Sequence, residues 1–209
     1  MTPLHVIANV AGVVTRAVDD VTGDRNGYPL LVAQACVEGL KRFGIESRVM
    51  FGQAAWLEVL EDHTVLWTGC WSGACHFWVA NRSGEVIDCN ASVSHRKPVQ
   101  LSREGTPLSR PLYSPPMLWS AEVPRFYRYL PEGVAEAAAE GDREKRWTEA
   151  VLKAVREGCG PERAPEVPEP VFPDEPILCP GRKLLDDSKG TFRLYDRAIS
   201  VAGIPEAPF

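Results

Sequence analysis

The chain predicts an α+β domain in which helices pack on an antiparallel sheet, and three observations carry that expectation. Apolar residues recur at helical spacing up to Gly44, and from there to Cys89 runs rich in Val, Ile, Phe and Trp alternate with short turns. A third amphipathic stretch opens at Gly141, and it is followed by seven prolines between Pro161 and Pro180, a composition that favours extended chain.

Thr2-Pro3 reads as a cap and first-turn proline, and Leu4, Ile7, Ala8, Ala11, Val14 and Val18 continue a helix to Gly23. Pro29 opens a second helix in which Leu30, Ala33, Val37 and Leu40 form a stripe, ending at Phe43-Gly44 with Lys41 and Arg42 where cations suit the dipole. Strands are expected at 47–60, 64–67, 75–81 and 85–89, the last two joined by the turn Asn81-Arg82-Ser83-Gly84. Residues 91–114, punctuated by Pro98, Pro107 and Pro111, read as an excursion over the surface. The aromatic run 117–129 is expected to dock on the sheet. Gly141-Asp142 caps a third helix with Trp147, Val151 and Val155 on one side and Gly158 just beyond its end.

A chain of 209 residues buries a full core. The expected organisation is an α+β domain over 1–158, a proline-rich linker over 159–180, and an arm over 181–209 that packs on the core or on a partner. With 23 basic and 28 acidic side chains the net charge is −5 and no basic run marks a phosphate footprint, so nucleic acid is not expected as a partner. No apolar run reaches the ~18 residues of a membrane span and no basic-then-apolar leader opens the chain, which reads as soluble and cytoplasmic. Six cysteines are too sparse for a disulfide scaffold of this length, so reduced thiols are expected.

The chemistry concentrates between Gly27 and Asp88. Gly44-Ile45-Glu46-Ser47-Arg48-Val49, His76-Phe77-Trp78-Val79 and Gly84-Glu85-Val86-Ile87-Asp88 follow a helix in the order helix, strand, His strand, Asp strand. Cysteine acyl-transfer chemistry needs a thiol favoured as thiolate, an imidazole to take its proton and a carboxylate to fix the imidazole tautomer. Over residues 26–92 this run resembles the transglutaminase-like branch of the papain-type fold, which includes the arylamine N-acetyltransferases. The resemblance implies a papain-type core with His76 as general base, Asp88 as its orienting carboxylate and a Gly-x-Cys at the helix start. Gly27-Tyr28-Pro29 occupies that slot, so the family's cysteine is replaced by Pro29, which is expected to face His76 across a cleft.

Other nucleophiles are open. Cys36 lies mid-helix, where a thiol gains nothing from the helix terminus, and reads as core. Cys70, in the loop read over 68–73, could fold over the site as a relocated nucleophile. Tyr28, with an ordinary pKa of ~10, is a binding group, as is Trp78 beside His76. A zinc site from Cys70, Cys75, His76, Cys89 and His95 is a further alternative, although Cys75 and His76 alternate to opposite faces of one strand. Trp56, Trp67, Trp71, Trp78 and Trp119 read mainly as sheet core, although one or two could wall an aromatic pocket at the His76 end, and the 125–129 run reads as solvated strand alternation more than a site for an anion or an aromatic ligand. Two functions compete: a degenerate protein that keeps the His76–Asp88 cleft to bind a small molecule or peptide, and a cysteine-type amide hydrolase or acyltransferase using Cys70. Neither calls for a cofactor or a resident metal.

Overall fold

The computed structural model describes residues 1–60, 65–90, 111–113, 118–120, 127–135, 141–162, 185–186, 191–194, 197–200 and 206–209. Helix α1 spans Leu4–Thr22, and Gly23 in the left-handed conformation (φ 80°) closes it by donating its N–H to Asp19. Its N-cap is Pro3 rather than the expected Thr2, whose backbone N–H and hydroxyl bond the Glu85 carboxylate instead. Pro29 stands in the first turn of α2 (Pro29–Lys41), where its missing N–H costs nothing. Helix α3 (Asp142–Gly158) is N-capped by Gly141 without a side-chain bond; Gly158 is its last residue, and Val151 and Val155 face the core while Trp147 stays half-buried.

One long strand organises the seven-stranded sheet. Strand β1 (Ser47–Leu60) pairs with β2 (Val65–Cys70) through Ala54–Val59 and with β3 (His76–Asn81) through Ser47–Gly52. Strand β7 (Tyr127–Val134) pairs with Met50–Trp56 and β5 (Pro111–Tyr113) with Val59 and Leu60. Because Gly52 and Ala54 each have a partner on both sides, β2 and β3 must lie end to end along one edge of β1, and β7 and β5 along the other. Strands β4 (Val86–Asp88) and β6 (Leu118–Ser120) continue outward from β3. All pairings are antiparallel, and the sheet curls. Pro111–Tyr113, expected within the surface excursion, is thus a sheet strand.

The core lies between the helices and one face of this sheet. Val49, Val79, Ile87 and Trp119 form a cross-strand row, all buried against Val10, Val14, Leu40, Val151 and other helix residues. Burying a side chain of this kind contributes roughly 1.5–3 kcal/mol. Alternation along the strands therefore turns Trp78, Asp88 and Leu118 to the opposite face.

Strands β8 (Leu185–Asp186), β9 (Thr191–Leu194) and β10 (Arg197–Ser200) make a separate three-stranded antiparallel sheet, so the expected arm has sheet structure of its own. The expected proline-rich linker lies, from 163 to 180, outside the described residues. Among the described residues no helix is long and apolar enough to cross a membrane.

Candidate active site

Cys70 ends β2 opposite Ala54, and His76 begins β3 opposite Gly52. Their partners are two residues apart on one strand, so Cys70 and His76 share a face, roughly 7 Å apart along the sheet. The chain between them, 71–75, leaves the ladder and turns back, with Ser72 (φ 55°) and Gly73 (φ 95°) in left-handed conformations and Ala74 N–H donating to Trp71 at 3.3 Å. The loop thus begins at Trp71, not at Thr68 as the sequence suggested, and Cys70 is held by the sheet.

The His76 imidazole is buried, and its Nε2 lies 2.7 Å from Asp88 Oδ2. Tyr129 donates its hydroxyl to the same Oδ2 at 2.7 Å, and the Asn90 N–H donates to Oδ1 at 2.8 Å. With Nε2 occupied, Nδ1 is the ring nitrogen left for Cys70. Burial favours the neutral ring, but the Asp88 charge and hydrogen bond outweigh it, and Cys70 adds to them, so the His76 pKa rises to about 9. Burial pushes the Asp88 carboxyl upward, yet the charge and hydrogen bond of His76 with the bonds from Tyr129 and Asn90 hold it below the ordinary range. The pair is therefore ionic at neutral pH.

Aromatic rings close around it. Trp56 meets the imidazole edge-on at 5.5 Å, Trp78 stacks at 6.4 Å from it, and Tyr129 tilts on Trp78 at 5.0 Å. Trp56, Trp78 and Tyr127 are buried, so the medium is apolar and the ionic bonds are strengthened. Two enclosed polar atoms near the site have no hydrogen-bond partner among the described residues: Thr68 Oγ1, opposite Trp56 in the register, and Asn90 Oδ1. At the Cys70 end, Cys70, Trp71 and Tyr129 are half-buried and Cys75 is exposed.

The remaining sequence candidates fall elsewhere. Tyr28 packs edge-on against Trp147 of α3 at 5.3 Å, in the helical layer. Phe77 and Val79 pack on the helix-side core, so α2 covers the face opposite to His76. The expected cleft with Pro29 on one side and His76 on the other is not formed, because strand alternation turns the imidazole away from the helix. Cys36 is buried in α2 with Sγ 3.4 Å from Cys89 Sγ; that bond, burial and the nearby Asp88 charge raise its pKa well above the thiol range. Cys89 faces the helices, Cys75 faces outward and His95 lies outside the described residues, so the zinc ligands do not converge; among the described residues no His, Cys, Asp and Glu cluster could hold a metal ion.

The sequence places Trp56 among the tryptophans that could wall the His76 end, where it lies, but does not show Tyr129 as a partner of Asp88. The available signal was the spacing Tyr127-x-Tyr129 in a run expected on the sheet, which puts both rings on one face. No family model, no curated protein and no solved structure matches the chain.

Proposed function

We propose that the protein is a cysteine-type amide hydrolase or acyltransferase in which Cys70 is the nucleophile, His76 the general base and Asp88 the group that orients and charges the imidazole. The supporting observation is the register: Cys70 and His76 are brought two positions apart on one face, with Asp88 2.7 Å from Nε2 of the ring. In this reading the proton held by His76 is the one Cys70 gives up: the thiolate attacks an acyl carbon, the imidazolium protonates the leaving group, and water or an amine, deprotonated by the now neutral His76, resolves the acyl-thiol and releases the thiolate. Thr68 Oγ1 and Asn90 Oδ1, enclosed and unpartnered among the described residues, are groups a bound substrate would satisfy. The likeness to the transglutaminase-like, papain-type family then lies in the order of helix, His strand and Asp strand, with the thiol supplied from the sheet instead of the helix start.

A second reading is favoured by Pro29 in the slot where the resemblance implies a thiol and by the burial of His76 and Asp88: a degenerate protein that keeps the His76–Asp88 site to bind a small molecule or peptide. Alkylation with iodoacetamide followed by peptide mapping separates the two. The acyl-transfer reading expects Cys70 to label faster than the more exposed Cys75, and His76→Ala to slow Cys70 by tenfold or more, in line with the roughly 10²–10⁴-fold effect of a positioned base. It also expects an activated ester to leave an acyl group on Cys70. Slow labelling indifferent to His76→Ala leaves the binding reading.

A further inference from the structure

Behind Asp88, on the helix side of the sheet, two thiols touch. Cys36 sits on the buried side of α2, Cys89 directly follows the last residue of β4, and their sulfurs are 3.4 Å apart with both residues almost wholly enclosed. A disulfide has its sulfurs ~2.05 Å apart, so closing this pair takes a movement of about 1.4 Å, within the reach of small side-chain rotations. Cys159, also buried, lies near Gly39 on the neighbouring turn of α2, where a Cβ added to the glycine would meet its sulfur at 3.3 Å.

We propose that Cys36 and Cys89 are a disulfide-forming pair that, when oxidised, fastens α2 to the end of β4. This inference stands on the contact between the sulfurs and does not depend on the acyl-transfer reading. The oxidant is a small disulfide such as oxidised glutathione. One cysteine, as thiolate, attacks a sulfur of the oxidant, forming a mixed disulfide and releasing one glutathione thiolate. The second cysteine attacks the protein sulfur of that mixed disulfide, forming the Cys36–Cys89 bond and releasing the second. Two electrons pass from the cysteines to the oxidant, and their two protons end on the two glutathione thiols. Both sulfurs are shielded from solvent and the Cys36 thiol resists ionisation, so exchange is slow in the folded protein and proceeds when α2 lifts from the sheet.

The ring closed by the bond encloses α2 from Cys36 onward and β1 to β4, with the two cysteines 53 positions apart. Constraining a loop of that size in the unfolded chain is expected to raise the unfolding temperature by roughly 10 °C. The full chain is equilibrated in glutathione buffers of rising oxidised fraction, quenched with N-ethylmaleimide, unfolded and digested without reductant. The expected product is one linked peptide pair, Cys36 with Cys89, two hydrogens lighter than the reduced pair. The accompanying rise in unfolding temperature disappears in Cys36→Ser and in Cys89→Ser. The proposal is overturned if both cysteines are still captured by the maleimide at the most oxidising ratio, or if Cys36 or Cys89 links to Cys159 instead. Peptide mapping of the unaltered chain decides the matter even if a serine variant fails to fold.

Discussion

Raising the pH from 6 to 9 should remove much of the His76–Asp88 ion pair's contribution to stability. The folded pKa of His76 is about 9, against ~6.5 for an unfolded histidine. A raised folded pKa means that the folded state holds the proton more tightly, so the contribution is fully present below ~6.5 and is lost as pH climbs through about 9. The gap of ~2.5 units corresponds to roughly 3 kcal/mol over this interval. For a chain of this size that is a fall in unfolding temperature on the order of 10 °C. Asp88 has the opposite sign: its lowered pKa contributes above ~4 and is lost under more acidic conditions, outside the interval. Burial pushes the Cys159 thiol up to about 11, so its titration costs stability mainly above pH 9.

The assay is urea unfolding at closely spaced pH values, run on the unaltered chain and on His76→Gln, which keeps a donor for Asp88 but cannot titrate. His76→Gln should start less stable at pH 6, since one member of a buried ion pair is gone, and should show little further loss up to pH 9. A flat profile in the unaltered chain, or an equal slope in both proteins, refutes the assignment of the buried charge to His76.

Tyr129→Phe deletes a hydrogen bond to the charged Asp88 and should cost about 2 kcal/mol by urea unfolding, with the His76 ring still protonated at neutral pH by NMR; an unchanged midpoint would show the 2.7 Å contact to be idle. Gly52→Ala should cost more than about 2 kcal/mol, because φ is 155° and the added Cβ would lie 2.2 Å from the Leu130 carbonyl oxygen, a backbone atom with no freedom to move aside; a wild-type midpoint contradicts that close approach.

The helices were legible because burial follows their 3.6-residue period directly: Val10, Val14 and Val18 are fully enclosed, as are Val151 and Val155. The pairing of His76 with Asp88 was legible because the turn at 81–84 fixes a hairpin. Long-range polar bonds were not: Thr2 and Asn81 converge on Glu85, yet Thr2 lies 83 positions from it, and only the packing of α1 on the sheet brings them together. The side of the sheet that α2 would cover was likewise hidden, since alternation says which residues share a face but not which face receives the helix. Hence the misplaced opposition of Pro29 and His76.

Cys70 shows how a composition signal misleads. Thr68-Gly69-Cys70-Trp71-Ser72-Gly73 has the residues of a loop, but Gly69 is a strand residue whose missing Cβ has a steric cause: at φ 141° that atom would fall 2.2 Å from the Ala54 carbonyl oxygen. In one unbroken strand, residues 70 and 76 would also share a face, yet they would stand about 20 Å apart. The excursion at 71–75 keeps the face and shortens the separation to two register positions, which brings a thiol beside the imidazole. Removing a single residue from the excursion leaves only strained ways to preserve both pairings, and a one-position slip of β2 would turn Cys70 to the helix side. The site therefore depends as much on the length of that loop as on the residues it joins.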